Sequence, residues 1–380
     1  MKLQLRSFHI IGFAAALLLL LAPLHAAGQS GTAAQRIRSE QAEFHLVKEI
    51  DGLDHPWAMA FLPDGEVLIS ERAGRMLLYS DGELKSVTGL PDIYASGQGG
   101  LLDIALHPGF EQNRWIYFTY SAAGPGGAGT ALYRARLDGT RLRDGQLLYR
   151  LPRLSGSSRH FGSRIVFGPD GYLYMSIGDR GDRFRAQRLD DAAGSTLRFN
   201  PDGSIPADNP FHGRRDALAE IYSYGHRNAQ GMAVHPETGE VWQHEHGPRG
   251  GDEVNIIRPG ANFGWPNVTY GEEYSGGEIG VGTDAPEYES PRIHWTPSIA
   301  PSGMSFYTGN LFPEWQGDIF VGALAGRHLR RLELDGRRVV DQEVLLKNRI
   351  GRIRDVEVGP DGKLWLLTDE DNGALYRLEP

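Results

Sequence analysis

His55, Gln98, His160, Arg227, Asn228, Arg352 and Arg354 each stand within a few residues of the start of an apolar, strand-like run. These residue types can do chemistry. An imidazole ionises near neutrality and can carry a proton. Guanidinium and carboxamide groups bind anions through directed N–H donors. Asp179 follows one such run, within Gly178-Asp179-Arg180-Gly181-Asp182. Taken singly, each has a duller explanation: a His before a strand is commonly structural, an Asp after Gly is commonly a turn former, and an Arg can staple neighbouring elements. Only an architecture that brings them together makes a site of them.

A repeat supplies that architecture. Six times an apolar strand runs into a turn and a second strand: 58–70, 101–120, 164–178, 231–245, 303–323 and 354–368. In five units the turn carries a Pro, at 63, 108, 169, 236 and 360; the fifth unit turns without one. Self-similarity at this period, with several short strands per unit, predicts an all-β fold, a six-bladed β-propeller with four antiparallel strands per blade. The last unit has three evident strands, so residues 43–50 are expected to supply its fourth and close the ring. Residues 28–42 read as a polar lead-in, and 43–380 as one catalytic domain. Residues 198–224 and 246–302 are long insertions without strand rhythm, and long loops in a compact domain are often functional.

In a four-stranded blade, the loop entering the innermost strand and the loop between strands two and three lie on one face. The entering loops carry His55, Gln98, His160, Arg227-Asn228, Pro301-Ser302 and Arg352-Ile353-Arg354. The second set carries Glu71-Arg72, Asp179, His246-Gly247-Pro248-Arg249, Arg327 and Asp369-Glu370-Asp371. One mouth therefore collects His, Gln, Asn and Arg, whereas the opposite face holds plain Pro-Asp-Gly turns. Its Arg excess implies a ligand bearing carboxylates or phosphates.

Composition excludes several classes. The chain has 39 basic and 48 acidic residues, a net charge of −9. Lys2 and Arg6 precede the apolar run Ile10–Leu24 and the small-residue stretch 25–28, which reads as a secretory signal over 1–27. Without it the balance is 37 basic against 48 acidic residues, which disfavours nucleic acid and anionic membranes as partners. There is no Cys, hence no disulfide, thiolate metal site or covalently attached haem. Gly124–Gly129 matches a dinucleotide fingerprint by letter but opens no helix. His244 and His246 would share a strand face, yet no third zinc ligand accompanies them.

The strings GQGGLLDIALHPGF (97–110), RHFGSRIVFGPDGYLYMSIGD (159–179), YGHRNAQGMAVHP (224–236), HEHGPRGGDEVNIIRPGANFGWP (244–266) and GRIRDVEVGPDG (351–362) resemble the soluble quinoprotein family of aldose sugar and glucose/sorbosone dehydrogenases. The resemblance covers essentially all of 43–380. It implies a periplasmic enzyme that uses pyrroloquinoline quinone (PQQ) and Ca²⁺ to oxidise the C1 hydroxyl of aldoses to lactones. It implies His160 as general base, with Asp179 orienting it. Gln98, Arg227, Asn228, Tyr274, Arg352 and Arg354 would grip PQQ. Gly247 and Pro248 would offer carbonyls to one Ca²⁺, and Glu253 with the Phe263 carbonyl would hold a second. The family's Lys at the fifth unit is replaced by Ala325, with Arg327 two residues on. The inventory agrees, because PQQ carries three carboxylates and Ca²⁺ prefers oxygen donors.

Electrons would leave to a separate acceptor, and a monomer without membrane insertion is expected. Two rivals stand beside this reading. A Ca²⁺-dependent lactonase-type propeller would need side-chain carboxylates on the axis, and a non-catalytic binding propeller would be expected to lose the His or the Arg set.

Overall fold

The computed structural model describes residues 35–380, with Met1 the only described residue before them. The segment expected to be a signal, beyond Met1, and residues 28–34 lie outside the described residues. Six antiparallel sheets form a six-bladed propeller. Each of the first five blades uses four consecutive strands, starting at Pro56, Leu101, Ile165, Ala229 and Pro301. The first strands of successive blades contact one another round a ring that closes from the sixth blade onto the first.

The sixth blade takes Ile353–Val358, Leu364–Thr368 and Gly373–Glu379 from the C-terminus. Its fourth strand is Glu43–Leu53, paired antiparallel with Gly373–Glu379 from His45 opposite Glu379 to Leu53 opposite Gly373. A fifth strand, Gln35–Arg38, adds outside it, within what reads in the sequence as loose lead-in. Ile37 is its inward residue and packs against Phe44, so one apolar residue in a polar tetrapeptide suffices for pairing. Strands also occur in the long insertions. Asp252–Ile256 and Ile293–Trp295 complete blade four, and Ile221–Tyr224 completes blade three. Asp252–Ile256 lacks an apolar rhythm because three of its residues, Asp252, Glu253 and Asn255, are buried polar groups.

The core lies between blades. Leu68 and Leu78 pack on Ile104 and Phe118, Tyr117 and Leu132 on Leu173 and Leu197, and Trp242 on Phe306 and Val321. Each fully buried aliphatic or aromatic side chain contributes about 1.5–3 kcal/mol, which makes every blade depend on its neighbours. At the axis Arg164 ties three blades. Its Nη1 donates to Asp103 Oδ1 at 3.0 Å and Asp355 Oδ1 at 2.9 Å, and its guanidinium lies 4.4 Å from the Trp57 ring centre.

Candidate active site

His160 sits in a turn that the sequence alone would not favour. His160, Gly162 and Ser163 have φ of 56°, 63° and 88°, all left-handed. For the two residues that carry a Cβ this costs about 1–3 kcal/mol each, so the surroundings must impose it. His160 N–H donates to Gln98 Oε1 at 2.8 Å, and Gly162 N–H donates to Asn228 Oδ1 at 3.1 Å. The Thr130 and Thr119 hydroxyls donate to the Phe161 and Ser163 carbonyls at 2.6 and 2.7 Å. Gly162 is required, since a Cβ there would lie 2.7 Å from the Gly178 nitrogen.

The imidazole is buried, and its Nδ1 lies 2.6 Å from Asp179 Oδ1. Asp179 also accepts from Gly181 N–H at 2.7 Å and from Trp265 Nε1–H at 2.9 Å. A carboxylate receiving these donors is an acceptor toward His160 as well. Nδ1 therefore carries the proton and Nε2 keeps its lone pair. Burial is the largest influence on His160 and lowers its pKa; Arg227 and Arg159 add to that, and Asp179 opposes it. For Asp179, burial pushes upward, but the His160 hydrogen bond, Gly181 N–H and Arg227 outweigh it and hold the carboxyl below its ordinary value. The pair at neutral pH is neutral imidazole and carboxylate.

His160 and Asp179 line a cleft with Arg227, Pro248, Trp265 and Tyr274. Arg227 donates to the His246 carbonyl at 3.0 Å and approaches the exposed Tyr274 hydroxyl at 3.4 Å. Arg183, from blade three, forms two hydrogen bonds to Glu273 at 2.6 and 3.0 Å and so joins two loops beside the cleft. His244 is buried inside blade four and His246 binds the Pro301 carbonyl, so the two share no metal geometry.

On another side of the axis, Asp369 Oδ2 accepts from Arg354 at 2.9 Å and Arg352 at 3.2 Å, and Oδ1 lies 3.0 Å from His55 Nδ1. Arg354 also donates to Gln230 Oε1 at 2.9 Å and lies 5.7 Å from the Trp57 ring centre. Gln98 and Asn228 have their carbonyl oxygens committed to the His160 turn. Among the described residues, neither amide nitrogen donates to protein.

A second, smaller void borders the first through Arg227 and Trp265 and is lined by Glu245, Gly247, Glu253, Phe263 and Thr269. Glu245 and Glu253 are direct cross-strand partners. Glu245 is satisfied by His226 Nδ1 at 2.8 Å and by the Arg227 N–H. Among the described residues Glu253 has only Asn255 Nδ2 as a donor, at 3.3 Å, and burial, then Glu245, raises its carboxyl to about 8. Among the described residues the buried Asn255 carbonyl oxygen has no hydrogen-bond partner. Among the described residues no cluster of three or more His, Asp or Glu is placed to hold a metal, so any cation here would rely on backbone and amide oxygens as well.

With this geometry in view, comparison with known proteins is decisive. Residues 53–377 match the family model described as Glucose / Sorbosone dehydrogenase. The chain belongs to that family. It is 45% identical over 344 residues to aldose sugar dehydrogenase YliI of Escherichia coli, covering 87% of this chain and 91% of that one. It is 30% identical to quinoprotein glucose dehydrogenase B of Acinetobacter calcoaceticus, covering 90% of each. The solved PQQ-bound aldose sugar dehydrogenase of Streptomyces coelicolor superposes with a TM-score of 0.74 at 30% identity, covering 87% of this chain and 96% of that one.

Within this family member, the residues expected to act as base, to grip the quinone or to hold Ca²⁺ fall into three groups. His160, Asp179, Arg227, Pro248 and Tyr274 share the cleft, with Gln98 and Asn228 behind it. Arg352 and Arg354 share Asp369, and Gly247, Glu253 and Phe263 share the second void. Arg327 is exposed and its side chain contacts none of these groups. Trp265, Gln230, Glu245 and Asp369 complete the site but escape the sequence reading as individual residues. Glu245 and Trp265 lie inside the string 244–266, and Asp369 inside an acidic loop on the correct face.

Proposed function

We propose that this protein is an exported, periplasmic quinoprotein that oxidises the C1 hydroxyl of cyclic aldoses to lactones, with PQQ and Ca²⁺ as cofactors. The observation that carries the reading is the His160–Asp179 pair, 2.6 Å apart, with Nε2 left as a base in a cleft edged by Arg227. His160 Nε2 takes the proton of the C1 hydroxyl while the C1 hydrogen departs as hydride, leaving a C1 carbonyl. Asp179 and Trp265 fix the ring orientation and stabilise the imidazolium that forms.

The residues present fit both cofactors. PQQ brings three carboxylates, and Arg227, Arg352 and Arg354 are cations at the mouth with charge-assisted donors. The undonated amide groups of Gln98 and Asn228 suit its carbonyl and carboxylate oxygens. When bound, PQQ supplies the hydride acceptor and Ca²⁺ a Lewis acid beside it. Glu253, opposite Glu245 and beside the Phe263 backbone, offers oxygen donors suited to the second Ca²⁺, and the Gly247 carbonyl bordering the same void would serve the first, in keeping with the preference of Ca²⁺ for oxygen. Pro248 would offer its carbonyl on the cleft side.

The lactonase alternative is less well supported, because the axial carboxylates Asp103 and Asp355 are already held by Arg164. The test is to add PQQ and Ca²⁺ to the purified protein and follow dye reduction with a panel of aldoses. Sugar-dependent reduction that requires both additions is expected. Inactivity across the whole panel would overturn the proposal.

A further inference from the structure

We infer that the mouth-side surface of the fifth blade is a docking site for an acidic electron-accepting protein. The inference rests on the dehydrogenase reading above. A chain without Cys holds no attached haem, so the electrons of each turnover must leave to another body.

The charge distribution points to where. Residues 324–332 and 345–354 contain seven Lys or Arg and no Asp or Glu, in a chain of net charge −9. Two of the seven are internal: Arg331 is buried against Asp318 and Glu343, and Arg354 against Asp369. Arg327, Lys347 and Arg349 are exposed, and among the described residues none is within ion-pairing distance of a carboxylate. Several exposed arginines elsewhere are paired, Arg188 with Asp190, Arg214 with Asp216 and Arg249 with Glu272, whereas the exposed Arg141, Arg159 and Arg215, unpaired among the described residues, stand apart from one another in the sequence. The mouth-side loops of the fifth blade therefore present a concentration of unpaired positive charge on a protein of net negative charge.

These cations are held in place. The Asn348 N–H donates to the Arg327 carbonyl at 2.8 Å, joining the two loops, and the Arg349 N–H donates to the Leu346 carbonyl at 3.0 Å within its own loop. Lys347 Nζ donates to the Gly326 carbonyl at 2.6 Å. Beside them a groove of about 630 Å³ runs between blades four and five, bounded by Lys347, Arg330, Ala325 and Thr296. The patch leads to the mouth, because Arg352 follows Arg349 by three residues and leaves 41% of its side chain exposed.

Charge complementarity selects the occupant. An acidic redox protein is repelled by the net negative charge of the molecule and drawn to this run of exposed cations, so it would be steered to the edge of the mouth. Such steering raises association rates by about 10–1,000-fold and weakens steeply with salt. Nucleic acid would meet the same repulsion without a reason to sit beside a redox site.

The test uses the protein reconstituted with PQQ and Ca²⁺, in wild-type form and as Lys347→Glu with Arg349→Glu. Oxidised acidic plastocyanin is the probe, basic cytochrome c the opposite-charge control and uncharged benzoquinone the neutral control. The wild type should reduce plastocyanin at a rate that falls with added salt. The double reversal should lower that rate at low salt by about ten-fold or more and flatten its salt dependence, with benzoquinone reduction unchanged. Calorimetric binding of plastocyanin at low salt should weaken in parallel. The same plastocyanin rate, salt slope and binding in both proteins would overturn the docking site, as would absence of plastocyanin binding to the wild type. If neither protein reduces benzoquinone with sugar, the dehydrogenase reading has failed, and the binding titration alone still decides the surface. Should the reversal variant fold poorly, Lys347→Ala with Arg349→Ala must produce an intermediate loss for the inference to stand.

Discussion

Asp369 and Arg354 form a buried ion pair at 2.9 Å, and the same Asp369 oxygen also accepts from the half-exposed Arg352 at 3.2 Å. Burial would raise the Asp369 carboxyl, but Arg354, Arg352 and Arg72 hold it far below the usual carboxylate range. One carboxylate thus positions two guanidiniums for an anionic ligand, in unequal surroundings. Arg354→Ala should weaken PQQ binding by about ten-fold or more and destabilise the fold by about 3 kcal/mol, since it strands a buried charge. Arg352→Ala should cost under about 1 kcal/mol of stability because water screens that pair. Quinone titration and thermal melts check the order; equal losses in both variants would contradict it.

Asp179 sets how His160 responds to pH. The base works only when Nε2 is unprotonated, so kcat/KM should fall as pH drops through the His160 pKa, which lies below its ordinary value. Asp179→Asn removes the influence that raises that pKa, so the acid limb should move to lower pH. Turnover should also drop by about a hundred-fold or more, because the tautomer is no longer fixed. A pH–rate profile reads both. A limb that moves upward would show that Asp179 does not act through His160.

Glu253 faces Glu245 across two strands, and like charges so placed oppose folding unless a cation or a proton intervenes. Millimolar Ca²⁺ should raise the Tm of the wild type by about 5 °C, as expected for a ligand near a hundred times its Kd. Glu253→Gln should abolish most of that response and, in chelator, melt no lower than the wild type. An unchanged Ca²⁺ response would remove Glu253 from the metal site.

Arg164 is buried on the axis between Asp103 and Asp355, and even with it present burial keeps Asp103 raised to about 6. Arg164→Met leaves two carboxylates without their shared cation. The expected loss is about 3–5 kcal/mol, measured by denaturant unfolding. A loss below about 1 kcal/mol would mean that the axial cluster is not a structural tie.

The sequence reveals the blades because each innermost strand is apolar and each turn carries Gly, usually with Pro. It also reveals which face collects His160, Arg227 and Arg354, because strand order alone dictates on which side each loop emerges. The remainder depends on register and on distant partners. Trp265 reaches Asp179 across 86 residues, and His55 meets Asp369 across 314. The opposition of Glu245 and Glu253 follows from the pairing of Asp252–Ile256, a strand whose buried Glu253 and Asn255 disguise it in the sequence. Gln98 and Asn228 stand out as polar residues in entering loops. That their carbonyl oxygens hold the His160 turn, leaving only the amide nitrogens for a ligand, is visible only in three dimensions.

The central claim separates a proton-accepting His160 from a cofactor-gripping set of arginines. The most direct measurement is a PQQ titration of His160→Ala in the presence of Ca²⁺, followed by turnover at saturating PQQ and aldose. The account predicts quinone binding within about three-fold of the wild type and turnover reduced by about a hundred-fold or more, the range for losing a general base. Loss of PQQ binding with turnover retained at saturating cofactor would contradict it.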